Sequence, residues 1–156
     1  GQSINQVVDT KAVHGRLARG ENSIGKARVV RGGKDATIVT WGAMVHVALE
    51  AAKEAAKKGI EAEIIDLRTI MPFDAQTCID SVRRTGRLVV LQEAQYTGGF
   101  GHTINSRILE EAFWNLEATP VVIGALDTPV PFSPPLEDHT IPTAELVLRH
   151  LLRMCE

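Results

Sequence analysis

Between residues 93 and 102 the sequence reads EAQYTGGFGH. Glu93 and His102 are residue types that move protons near neutral pH, and Gly98, Gly99 and Gly101 lie between them. Four roles suit such a stretch. The amides of Gly99, Phe100 and Gly101 can hold an anion at a helix start. Glu93 or His102 can act as general acid or base. Small residues can let a strand and a helix pack through a sharp turn, or admit a second subunit. The spacing G-G-x-G is not the dinucleotide pattern G-x-G-x-x-G, and no G-K-[ST] occurs, since Gly25 and Lys26 are followed by Ala27. Neither acid–base candidate has a partner visible in the sequence. Glu93 is expected to bond amides of its own loop, and His102 to satisfy the helix N-terminus.

Other chemistry has less support. His46 falls within a helical run, and His139 follows Glu137 and Asp138 in a stretch that reads as solvated loop. The spacing of His, Asp and Glu matches no metal motif, and no G-x-S-x-G elbow appears. Cys78 and Cys155 are far apart and form no C-x-x-C, which argues against a zinc site and for a reducing compartment. A net charge of -2 gives no basic field for nucleic acid or anionic lipid. The pairs Lys57–Lys58 and Arg83–Arg84 read as solvated faces. No apolar run approaches the ~20 residues that span a bilayer. With 44% apolar and 23% charged residues, 156 residues suit one soluble domain with its own core.

The elements that must position the loop follow from periodicity. Residues 1–23 show no sustained period and read as a tail or linker, part of which need not be native. Residues 24–156 form the domain. Ala27–Val30 and Ala36–Trp41 read as strands joined through RGGKD, whose glycines can take positive φ, so a hairpin is expected at one sheet edge. Residues 43–58 carry Met44, Val47, Ala48, Ala51, Ala52 and Ala55 at helical spacing, with Gly59 placed to cap. Glu61–Leu67 is a strand, and Asp74 can N-cap the helix that stops at Gly86. Arg87–Glu93 is a continuous apolar run, as in a strand buried on both faces. A helix follows from His102 to Leu116, then a strand at VVIGALD. Asp127–Pro142 holds five prolines and reads as an irregular connection before a last helix at Thr143–Met154. Such alternation predicts an α/β fold with a mostly parallel sheet of about five strands and helices on both faces.

Taken together, residues 24–153 resemble the C-terminal domain of the transketolase family. They look most like the β subunit of the thiamine diphosphate-dependent decarboxylating component of 2-oxo acid dehydrogenases. The carriers are IGKARVV, TIVTWGAMVHVALEAA, EIIDLRTIMPFD, SVRRTGRLVVLQEA, TGGFG, EEAFWNLEATPV and ALDTPVPF, in order over about four-fifths of the chain. The run WGAMVHV and TGGF are closer to branched-chain members; the tail SPPLEDHTIPTAELVLRHL is closer to pyruvate or acetoin members.

The resemblance implies a three-layer α/β/α sandwich with one antiparallel strand. It implies that thiamine diphosphate and magnesium belong to the parent enzyme and are not bound by this chain alone, which lacks the G-D-G…N-N diphosphate motif. The parent would oxidatively decarboxylate a 2-oxo acid and pass the acyl group to a lipoyl carrier. Its partners would be an α subunit and a second β subunit in a heterotetramer, and an acyltransferase core with its lipoyl domain. The isolated domain would be inactive and would dimerise or self-associate weakly. It would reside in the bacterial cytoplasm or the mitochondrial matrix. Thr97, Gly98, Gly99, Phe100, Gly101, Phe113 and Trp114 become candidate subunit contacts. Glu93 and His102 stay as the only catalytic candidates, with no cofactor-binding or metal residue. The rival readings are a free-standing domain that binds an anion or small molecule at TGGFG, and a self-sufficient acid–base enzyme.

Overall fold

Five short runs rich in β-branched residues make the sheet. The computed structural model describes residues 24–129 and 139–156. In it β1 (Arg28–Arg31), β2 (Ala36–Thr40), β3 (Ala62–Asp66), β4 (Leu88–Gln95) and β5 (Val121–Ala125) lie in the order β1-β3-β2-β4-β5. The pairs β2–β3, β2–β4 and β4–β5 are parallel, and β1 runs antiparallel to β3. The four helices are α1 (Met44–Ala56), α2 (Ala75–Thr85), α3 (Gly101–Ala112) and α4 (Ala144–Met154). Residues 1–23 and most of the proline-rich connection, 130–138, lie outside the described residues.

Alternation along the strands builds two cores. Ile38, Ile64, Val89, Leu91 and Ile123 face one side, where α1 and α4 cover them with Ala48, Ala51, Ala52, Val147 and Leu151. Val39, Ile65, Leu88 and Val90 face the other, under Ile79 and Val82 of α2 and Ile104 and Ile108 of α3. Strands covered on both faces are apolar at most positions, and the buried polar exceptions Thr37, Thr40, Glu63 and Gln92 all have hydrogen-bond partners. Helix ends follow local chemistry. The Asp74 side chain accepts from the Thr77 amide, Thr143 accepts from the Leu146 amide, and Gly86 closes α2 in the left-handed region. At Gly59, with φ 84°, the amides of Gly59 and Ile60 return to the carbonyls of Ala56 and Ala55.

The hairpin expected from β1 and β2 does not form. β1 crosses to the far side of β3 instead, pairing Val29 with Ile65. The intervening RGGKD segment passes over the start of β3, where Lys34 and Asp35 amides donate to the Glu61 carbonyl at 2.9 and 3.0 Å. Neither Gly32 nor Gly33 has positive φ. Gly33 is needed for close approach: a Cβ there would lie 2.3 Å from the Ala62–Glu63 backbone. Arg31 reinforces the crossing, its guanidinium reaching the Ala62 carbonyl and the Glu61 carboxylate at 2.6 Å each.

Candidate functional site

The glycine-rich loop leaves β4 at the carboxyl end of the parallel strands, where ligands collect in open α/β sheets. Its centre is a residue that the sequence reading passed over. Gln92 is fully buried at the inner end of β4. Its carboxamide Nε2 donates to the Gln95 carbonyl at 2.8 Å, and its Oε1 accepts the Gly101 amide at 2.6 Å. Three glycines enclose that carboxamide. A Cβ at Gly99 would fall 1.8 Å from Nε2, one at Gly101 2.7 Å from Oε1, and one at Gly124 3.0 Å from Nε2. The loop therefore closes inward on a glutamine. The first amide of α3 is already satisfied, so an anion at this turn would have to displace a short buried hydrogen bond.

Glu93 and His102 do not meet. Glu93 is exposed and its side chain makes no hydrogen bond among the described residues; it borders a concavity of about 230 Å³ with Gln95, Leu126 and Thr128. The expectation that it bonds its own loop's amides fails, because the strand's alternation turns Gln92 inward and Glu93 out. His102 does not cap α3 with its ring. Its Nε2 lies 2.9 Å from the Tyr96 carbonyl, and the ring stacks edge-on against Tyr96 at 4.7 Å. The outer half of the loop is held by Asp127, whose carboxylate accepts the Thr97 amide at 2.8 Å and the Thr97 hydroxyl at 2.6 Å. Those two donors lower the Asp127 pKa below the usual carboxylate range.

The contact candidates separate into two places. Thr97 and Gly98 are exposed at the loop tip, Phe100 packs partly into the core under α3, and Gly99 and Gly101 face Gln92. Phe113 and Trp114 lie past the other end of α3, 54% and 92% exposed, in an edge-to-face pair at 5.1 Å. Phe113 is thus not a core residue.

One further polar group escaped sequence reading. Glu63 is buried at the opposite end of the sheet. There Ser81 Oγ donates to it at 2.6 Å and Arg84 pairs with it at 2.5 Å, and Thr37 and Thr85 complete the chain of hydroxyls. Arg84 is therefore not merely a solvated charge. Burial, with Asp74 nearby, pushes the Cys78 thiol up to about 12, so it packs as an apolar group. No disulfide joins it to Cys155.

This sheet order, its single antiparallel strand and the packed turn after β4 can be set beside known proteins. The sequence matches the family described as "Transketolase, C-terminal domain" over residues 25–147. The chain belongs to that family. It is 48% identical over 134 residues to the acetoin:2,6-dichlorophenolindophenol oxidoreductase subunit beta of Cupriavidus necator, covering 85% of this chain and 40% of the relative. It is 48% identical over 110 residues to the pyruvate dehydrogenase E1 component subunit beta of Bacillus subtilis, covering 70% and 34%. Against the mitochondrial 2-oxoisovalerate dehydrogenase subunit beta of Dictyostelium discoideum, identity is 47% over 112 residues, covering 71% and 30%. A split-gene transketolase solved as an inactive beta4 tetramer superposes with a TM-score of 0.68 at 30% identity, over 86% of this chain and 42% of that one. The chain spans two-fifths or less of the length of these curated relatives.

The loop amide at the head of α3 is turned onto Gln92, and the described residues bring together no group of three His, Cys, Asp or Glu able to hold a metal. Among the described residues no helix is long and apolar enough to cross a membrane.

Proposed function

We propose that this chain is the C-terminal assembly and interface domain of the β subunit of a thiamine diphosphate-dependent 2-oxo acid dehydrogenase, and is not catalytic by itself. The parent enzyme oxidatively decarboxylates a 2-oxo acid and transfers the acyl group to a lipoyl carrier. The observation that carries this reading is the inward closure of the TGGFG loop on Gln92, which leaves Glu93 and His102 without a shared reacting position. Similarity to β subunits of pyruvate, acetoin and 2-oxoisovalerate enzymes supports the choice of parent.

In this reading magnesium and the coenzyme are held by other domains, at a junction with an α subunit and a second β subunit. Thr97 and Gly98 contribute contact surface at the loop tip, while Gly99, Phe100 and Gly101 keep its shape. Phe113 and Trp114 anchor a separate contact. The acyltransferase core with its lipoyl domain is a further partner, in the bacterial cytoplasm or the mitochondrial matrix. The isolated domain, deprived of these partners, self-associates weakly.

Calorimetric titration of the chain with thiamine diphosphate and magnesium tests the division of labour. The expected result is no binding, with no decarboxylation of pyruvate or 2-oxoisovalerate. Turnover by this chain alone would overturn the reading. Reconstitution with the missing β-subunit portion and an α subunit is expected to restore turnover.

A further inference from the structure

Three concavities run end to end along one flank of the molecule. The first, about 420 Å³, is bounded by Phe113, Trp114 and the segment to Pro120. The second, about 380 Å³, shares Ala118 and Thr119 with the first and adds Val121, His150 and Arg153. The third, about 280 Å³, shares His150 with the second and follows β5 as far as Asp127. The shared residues make them one groove. Its inner side is β5, the last strand of the sheet, hydrogen-bonded to β4 and to no other strand among the described residues. An edge strand leaves the N–H and C=O groups of alternate residues without a strand partner, which is a template for another extended chain. The opposite wall is α4, which presents Leu146, His150 and Arg153 at helical spacing.

Charge selects the occupant. Arg149 pairs with Glu145 on its own helix, but Arg153 has no ion pair among the described residues. His150 stands beside it, half-buried. Two carboxylates border the groove and both are engaged: Asp127 accepts two hydrogen bonds from Thr97, and Glu117 pairs with Arg87 at 3.0 Å. Among the described residues the basic end is therefore uncompensated. A second copy pairing β5 with β5 across a two-fold axis would bring only carboxylates that are already engaged.

We propose that this groove docks an extended acidic segment of a protein partner as a sixth strand on β5. A carboxylate of the segment sits against Arg153 and His150, and an apolar side chain packs on Trp114. Just past β5 the Leu126 amide already donates to the Thr140 carbonyl at 3.1 Å, so the strand-paired part of the occupant matches the five residues of β5, and its remaining residues run on towards Trp114. The inference rests on the proposed function at Trp114, whose separate contact it identifies with this segment, and it uses none of Thr97 to Gly101.

The test is an NMR titration of the full chain. The probe is a capped peptide of about eight residues alternating valine with threonine, with two central glutamates and a terminal leucine. Its control carries lysines in place of the glutamates. The expected result is movement of the Val121–Ala125 amides and the Trp114 indole with the acidic peptide and not with the basic one. R153E is expected to weaken binding about fivefold, the scale of one exposed ion pair, and W114A to weaken it through a different contact. Both positions are exposed, and an unchanged amide spectrum away from the groove confirms folding. Equal binding of the two peptides, no binding of either, or shifts confined to α4 would overturn the proposal. So would concentration-dependent shifts of the β5 amides without peptide, which would assign the edge to a second copy.

Discussion

The loop after β4 and the groove beside β5 flank neighbouring strands, yet they treat their hydrogen-bonding groups in opposite ways. In the loop, Gln92 meets the Gly101 amide and the Gln95 carbonyl, and the glycines that look like a cradle form the walls around that side chain. In the groove, a strand edge faces a basic helix end that lacks a partner among the described residues. Glycine density thus marks where the backbone is crowded, whereas a docking site is marked by polar groups left unmatched. The contrast explains why the more conspicuous motif is the less available one.

The strongest way to break this comparison is to enlarge the glycines. Gly99→Ala places a methyl group against Gln92 and 2.5 Å from the Gln95 carbonyl oxygen, which belongs to the backbone and cannot rotate away. It is expected to destabilise the fold by about 3 kcal/mol, the scale of overpacking. Gly101→Ala meets mainly the Gln92 side chain and should cost about 2 kcal/mol. Gln92→Ala leaves the Gly101 amide and the Gln95 carbonyl unmatched, for a similar loss of about 2 kcal/mol. The double mutant Gln92→Ala/Gly101→Ala should be more stable than the sum by about 1 kcal/mol, because the methyl group enters the vacated space. Urea unfolding of the four variants and the parent chain checks this. Strict additivity, or a Gly99→Ala protein as stable as the parent chain, would show that the loop is not packed on Gln92.

At the groove the expectation reverses. Trp114→Ala removes a large side chain that is 92% exposed, so the stability change should stay within about 0.5 kcal/mol. Thermal unfolding measures it. A loss on the scale of a core aromatic would mean that Trp114 supports this domain instead of facing a partner.

Much of this fold was legible because local chemistry and burial agreed. The apolar runs of β3 and β4 alternate faces so that both sides need covering, and Asp74, Gly59, Gly86 and Thr143 stand where helix ends require them. The pairing of β1 was not legible. Strand order is a tertiary choice, and the two glycines that suggested a turn serve a crossing over β3. Gln92 was hidden for a related reason. A lone glutamine at the end of an apolar strand has no local signature, and Gly124, one of its walls, is distant in sequence. The signal was its combination with the glycines that follow, of which Gly99 and Gly101 leave room for its carboxamide and Gly101 supplies a backbone amide partner. The separation of Glu93 from His102 also depended on strand alternation, which put Gln92 inside. The groove depends on which strand is last in the sheet, and periodicity does not report that.

The finest probe of the comparison is the proton on His150. Burial lowers its pKa first, and the positive charges of Arg153 and Arg149 lower it further, below the ordinary 6.5. The folded chain therefore binds fewer protons here than the unfolded chain. The contribution of His150 makes stability fall as pH drops through 6.5 towards the folded-state value, and the loss is recovered as pH rises again. A carboxylate held against Arg153 would oppose the like-charge repulsion and move the imidazole back up. NMR titration of the ring should show a midpoint below 6.5 in the free chain, an upward shift in R153E, and an upward shift with the acidic peptide. A midpoint at or above 6.5 in the free chain would mean that a carboxylate of this chain already neutralises the basic end, and the groove would then resemble the loop it is contrasted with.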